Sequence, residues 1–185
     1  KGINNNAILQ VFPAEGSSCF SNSYIQFVEF FEEDFPWRYT PLCGNGKLRS
    51  WITLIVCKDD EFEVKNGDEG RKSVILSKPD AILPTMDSVW QLSHVQICDD
   101  SGELDGLVKN ASPDNIGDLQ NKLNEILRIN PDAGISRLMN NRKLEINTHY
   151  TAFIIPTFEL GRLAGLGEKL ENVSVQSGAW GNGTS

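Results

Sequence analysis

The chain has 185 residues, enough for one domain with a sizeable core, and its 39% hydrophobic and 23% charged content is globular rather than disordered or membrane-like. A formal net charge of -8 disfavours a nucleic-acid backbone or an anionic membrane surface as the main partner. The longest apolar run, Ile52–Cys57, is far too short to cross a bilayer, and no positively charged start leads into an apolar core, so no signal peptide is expected.

Taken in order, Ala7–Phe12 is a short apolar run closed by Pro13, a first strand. Tyr24–Phe31 is rich in aromatic and β-branched residues and reads as a second, ended by the acidic cluster 32–34. In Phe35–Pro41 two prolines bracket aromatics and one arginine, which predicts an extended, rigid segment whose aromatics plug the core. Residues 44–46 form a turn. Arg49–Cys57 is the strongest strand pattern, continuous enough to be central and covered on both faces.

Lys58–Lys72 is charged and glycine-bearing, a solvated loop or an exposed hairpin tip, and Val74–Leu76 is a further short strand. Met86–Cys98 fits two templates. Trp90, His94 and Ile97 lie on a helical face, while Trp90, Leu92, His94 and Gln96 lie on one strand face; the helix is preferred. Asp99–Pro113 reads as a long surface loop. Asp114 is the expected cap of the clearest helix, Asn115–Ile129, with Ile116, Leu119, Leu123, Ile126 and Leu127 on one stripe. Ile135–Met139 is expected to add a helical turn, and Leu144–Ile146 to lead into the last strand.

Thr148–Gly167 is the most ordered pattern in the chain. Ala152–Ile155 is a compact apolar strand stopped by Pro156, and Thr157 is the expected N-cap of a helix with Leu160, Leu163 and Ala164 at helical spacing, ended by Gly165 and Gly167. Glu159 and Arg162, three apart, can pair on one helix face. Beyond residue 171 the pattern decays, and 172–185 reads as a flexible tail or as the start of a further region. The fold expected is therefore α+β: a single domain over 1–171, with a mixed β-sheet around Trp51–Cys57 and Ala152–Ile155, packed by one long and one or two short helices.

No residue pattern here is a specific catalytic signal. The only histidines are His94 and His149; a dyad would need one of them beside a nucleophile such as Cys98, Cys57, Ser93 or Thr148. His94 and Cys98 are two ligands with no second pair, which is not a zinc site, so no metal and no cofactor is expected. His149, next to Tyr150 at a strand start, reads as a structural hydrogen bonder. Among the carboxylates Glu29, Glu32, Asp34, Glu145 and Glu159, the last stands out, because its apolar neighbours require a partner such as Arg162 or Arg38. Phosphate-loop and dinucleotide fingerprints are missing, since the glycines follow the helix start and no lysine accompanies them. Cys19, Cys43, Cys57 and Cys98 are scattered, with no CxxC pair, and read as buried free thiols rather than a disulfide framework.

Five blocks taken together carry a resemblance: FPWRYTP (Phe35–Pro41), LRSWITLIV (Leu48–Val56), SVWQLSHVQ (Ser88–Gln96), ISRLM (Ile135–Met139) and YTAFIIPTFELGRLAGLG (Tyr150–Gly167). In this order they resemble a group of largely uncharacterised bacterial proteins of several hundred residues, with PWRYTP, WxxxHVQ-like and VPTFExGRxAGLG-like blocks. The resemblance covers Ile25 to Gly167 and departs at Asn140-Asn141, where a Cys-Pro pair is usual in the family. It implies no enzyme activity or cofactor. It implies instead an N-terminal portion of a longer protein, associated with phage-tail-like contractile injection clusters and carried in an extracellular particle.

The function expected is a non-enzymatic structural or protein-binding module whose partners are other protein subunits or a C-terminal region of the same chain, with Trp37, Arg38, Arg162 and Trp180 as contact residues. The alternative is a hydrolytic enzyme or delivered effector that uses Glu159, His94 or His149 in a cleft. A carbohydrate-binding domain using Trp37 and Trp90 is a third reading.

Overall fold

The computed structural model describes residues 3–41 and 47–181. The turn at 44–46, Cys43 and residues 182–185 lie outside them. The fold is α+β, a single domain. Its elements run β1 (Ile8–Phe12), β2 (Gln26–Phe30), β3 (Ile52–Lys58), β4 (Phe62–Asn66), β5 (Lys72–Leu76), α1 (Pro79–Ile82), β6 (Ser93–Ile97), α2 (Glu103–Lys109), α3 (Ile116–Ile129), β7 (Gly134–Asn140), β8 (Tyr150–Pro156) and α4 (Glu159–Leu166).

Among the described residues the strands form three antiparallel sheets: β1-β2-β7-β6, β3-β8 and β4-β5. The pair β3-β8 lies at the centre, as its apolar run requires. One face of β3 sends Ile52 and Leu54 against Val28, Phe30 and Leu138 of the four-stranded sheet. Its other face sends Ile55 and Cys57 against Ile82 of α1, with Phe62 and Leu76 of the β4-β5 hairpin packed on them. That two-sided burial is why β3 carries no polar alternation. Its edge away from β8 is closed by side chains: Asn140 Nδ2 donates to the Leu54 carbonyl at 3.0 Å and an Arg142 nitrogen donates to the Val56 carbonyl at 2.8 Å. Asn140 therefore has a structural task.

Several sequence expectations are corrected. Met86–Cys98 is no helix but a 3-10 turn, Val89–Leu92, running into β6. Ile135–Met139 is the interior of strand β7 rather than a helical turn. Its buried face carries Gly134, Ser136, Leu138 and Asn140, so small and polar residues point inward and the usual alternation is disguised. Residues 99–113 are not all loop, because α2 lies within them. Phe35–Trp37 is a 3-10 turn rather than extended, with Pro36 at its start. Its plug role does hold for Phe35, stacked on Phe30 at 4.5 Å and against Trp51, whose indole donates to the Phe35 carbonyl at 2.7 Å. The segment Lys58–Lys72 takes the hairpin form. Asn115 rather than Asp114 stands before α3.

Of the cysteines, Cys57 is a buried free thiol, while Cys19 and Cys98 are free but exposed, against the expectation of burial. No helix among the described residues is long and apolar enough to cross a membrane.

Candidate functional site

Three of the residues singled out by the sequence meet in one open groove of about 660 Å³, lined by Asp80, Glu159, Arg162, Trp180 and the backbone of 178–181. Its wall is built by the end of β8 and the start of α4. Thr157 is not the helix cap. It is fully buried, and its hydroxyl bonds that of Thr53 at 2.8 Å, while Phe158 takes the cap position in an extended conformation. The helix stops at Gly167, whose left-handed φ of 76° lets the Glu168 N–H reach back to the Leu163 carbonyl.

The opposite wall comes from the stretch read as a tail. Ser177–Trp180 is docked: Gly178 forms a β-bridge with Phe158, the Glu159 N–H donates to the Ser177 carbonyl at 2.8 Å, and the Ala179 N–H donates to the Thr157 carbonyl at 2.9 Å. Gly178 is buried beneath Met86, and a Cβ there would sit 2.7 Å from the Met86 methyl carbon. The Trp180 indole N–H donates to the Pro84 carbonyl at 2.7 Å, which fixes the ring at the groove.

Glu159 and Arg162 form the two-pronged pair that their spacing suggested, with Arg162 Nε and Nη2 each 2.7 Å from a carboxylate oxygen. The guanidinium holds the Glu159 carboxyl below the usual range, outweighing the opposite effect of partial burial. An ionised carboxylate whose two oxygens are both taken has no proton to give and little basicity to offer. Asp80, in the first turn of α1, adds a second negative charge to the rim.

The remaining candidates are dispersed. His94, exposed on β6, has Nε2 3.1 Å from the Gln91 carbonyl oxygen. His149 has Nδ1 2.8 Å from Asp59 at the exposed end of the β3-β8 pair; it is a hydrogen bonder as expected, though not a buried one. Neither ring lines the groove. Cys57 is sealed in the core, where desolvation pushes its thiol up to about 11. Arg38 pairs with Glu32 and Asp34, each at 2.5 Å, rather than with Glu159, and lies over the Phe35 ring. Trp37 is half-buried in the same turn; neither it nor Arg38 lines the groove. Trp90 is half-buried with the Lys47 ammonium 4.8 Å over its ring, which covers a face that a sugar would need. Among the described residues no group of three or more His, Cys, Asp or Glu is placed to hold a metal ion.

Two buried ion pairs escaped the sequence reading. Glu29, only 2% exposed, is held by Arg137 from the neighbouring strand and by Gln10. Glu61 is gripped by both terminal nitrogens of Arg142 at 2.6 and 2.7 Å and accepts the Lys58 N–H at 2.8 Å. A charge inside an aromatic strand was the available signal for Glu29. For Glu61 there was none, because its partner lies 81 residues away in a polar loop.

No family model, curated protein or solved structure matches the chain.

Proposed function

We propose that the chain is a non-catalytic protein-binding module and that the groove between α4 and Ser177–Trp180 is its contact surface. One observation carries the reading: Arg162, Glu159 and Trp180 are held rigidly, by their own hydrogen bonds, at the rim of a single open groove. Fixed arginine and tryptophan side chains lose little conformational freedom on binding, and these residue types dominate contact energetics between proteins. The polar rim adds Asp80 as a directional charge. Partners that fit are other subunits, or a C-terminal region of the same chain. The wider setting, a larger bacterial protein tied to a phage-tail-like contractile injection assembly, is supported by the resemblance of Phe35–Pro41 and Tyr150–Gly167.

A photo-reactive amino acid placed at position 80 tests the reading directly. In the native host it is expected to cross-link one defined protein, and the same product should disappear in Arg162→Ala and Trp180→Ala chains that remain folded. Hydrolysis of any ester, peptide or glycoside panel member by the wild-type chain, lost in Glu159→Gln, would overturn the proposal.

A further inference from the structure

We infer that the free edge of β6 and the apolar groove beside it accept an extended segment of another protein, five to seven residues long (about the length of β6 itself), apolar at every second position and basic at its ends, which adds as a fifth strand.

The four-stranded sheet has two edges, and they differ. At β1 the register shifts between Ile8 and Gln10, a bulge of the kind that blunts an edge. β6 reads Ser-His-Val-Gln-Ile and pairs with β7 in unbroken register, with no proline, lysine or bulge to deter pairing. Cys98 N–H donates to the Ala133 carbonyl, just past the strand end, and in antiparallel alternation this assigns the even residues of β6 to the β7 ladder. The amides and carbonyls of Val95 and Ile97 therefore face outward, and no hydrogen bond to them occurs among the described residues.

Beside that edge lies a groove of about 490 Å³. Val95 and Ile97 form one side, and Leu104, Val108, Leu119, Leu123 and Leu127 of α2 and α3 the other. Val95 is 51% and Val108 55% exposed, so the groove has an apolar mouth as well as an apolar floor. A strand added to β6 points every second side chain to the side on which Val95 and Ile97 lie, into this groove. The intervening side chains stand on the face of His94 and Gln96. Charge then selects the ends of the segment: the titratable residues lining the groove, Glu33, Asp99 and the Lys109-paired Asp105, are all acidic, on a chain of net charge -8. Glu33, beside Ile97 at Gly134, and Asp99, just past Ile97, lie at one end of the edge. Main-chain pairing supplies the affinity, the groove the apolar preference, and the rim the basic one. The inference is independent of the groove at Trp180, because the two surfaces share no residue.

The test uses three synthetic peptides on the whole chain by two-dimensional NMR. One alternates valine with serine between terminal lysines, one has terminal glutamates instead, and one repeats the first with every second amide N-methylated. The lysine peptide is expected to shift the amides of Val95, Ile97, Val108 and Leu123 and to weaken as salt is raised, with the other two bound at least about tenfold more weakly. Val95→Pro removes an outward N–H together with one apolar side chain of the groove wall, and Val108→Lys places a charge like that of the peptide ends at the exposed mouth. Both variants should keep the wild-type spectrum elsewhere and lose at least about tenfold in affinity. Equal binding of all three peptides, no shift with any of them, shifts confined to the Trp180 groove, or pairing of two β6 edges in a dimer would each overturn the inference.

Discussion

The side-chain hydroxyls of Thr53 and Thr157 meet at 2.8 Å across the join between β3 and the start of α4, with both residues at most 1% exposed. Among the described residues each hydroxyl has the other as its hydrogen-bonded side chain, so each satisfies a group that water cannot reach. Thr157→Val keeps the shape and removes one hydroxyl, leaving the other buried without a partner; it should cost roughly 1–3 kcal/mol. The double variant Thr53→Val/Thr157→Val should cost clearly less than the sum of the singles, because no orphan remains. Urea unfolding with an unchanged slope decides it, and additive single costs would refute the pairing.

The Glu61–Arg142 pair makes a pH prediction whose sign is fixed. Hydrogen bonds from Arg142 lower the Glu61 carboxyl from 4.5 to about 2, against the opposing effect of desolvation. A folded-state value below the unfolded one stabilises the fold fully above about 4.5, and the contribution is lost as pH falls through about 2. Glu61→Gln leaves the half-buried Arg142 guanidinium beside a neutral amide and should cost about 3 kcal/mol at neutral pH. Urea midpoints of the wild type and this variant, measured from pH 7 downward, should keep a constant gap to about pH 5 and converge toward pH 2. A gap that does not change with pH would mean the pair is not ionised as described.

Much of the fold was legible because burial left a mark on residue type. β3 reads as central because both its faces are covered, and α3 as a helix because its leucine and isoleucine stripe meets α2 and the β6 side of the sheet. The Glu159–Arg162 pair was legible because it is local, three residues apart on one helix. What failed did so for a physical reason. β7 turns Ser136 and Asn140 inward, where the Glu32 and Leu54 carbonyls receive their donors, so the pairing that makes polar residues acceptable in the core lies 104 and 86 residues away. The short α2 carries Gly106 in its middle and offers too few turns for a periodic signal. Trp180 was singled out as a contact residue, but its docking depends on a β-bridge between Phe158 and Gly178 that no local pattern announces.

Thiol reactivity should separate the three described cysteines. Cys57 is fully buried with its thiol pushed up to about 11, whereas Cys19 and Cys98 are exposed. Thiolate is the reactive form, so burial both hides Cys57 and removes its nucleophile. A short treatment with a maleimide at pH 7.5 followed by peptide mass mapping should label Cys19 and Cys98, and Cys57 only after denaturation. Labelling of Cys57 in the native chain at a rate near that of Cys19 would contradict its place in the core.

The docking of Ser177–Trp180 is the feature on which the proposed contact surface depends, and Gly178 is where it can be broken. A Cβ at this position would meet the Met86 side chain at 2.7, 2.9 and 3.0 Å, with no backbone atom among the three nearest. Methionine is unbranched and adaptable, so Gly178→Ala should be absorbed by a Met86 shift at a cost of about 1 kcal/mol. Gly178→Val carries two further carbons into the same space and should break the bridge to Phe158, releasing Trp180 from the Pro84 carbonyl. The indole N–H resonance of Trp180, assigned through Trp180→Phe, reads this directly: it should stay in place for alanine and move to the position of a solvated indole for valine. Met86→Ala in the valine background clears the space and should return the resonance most of the way. If valine leaves that resonance where it was, the tail is not held by the Gly178 bridge and the groove does not depend on it.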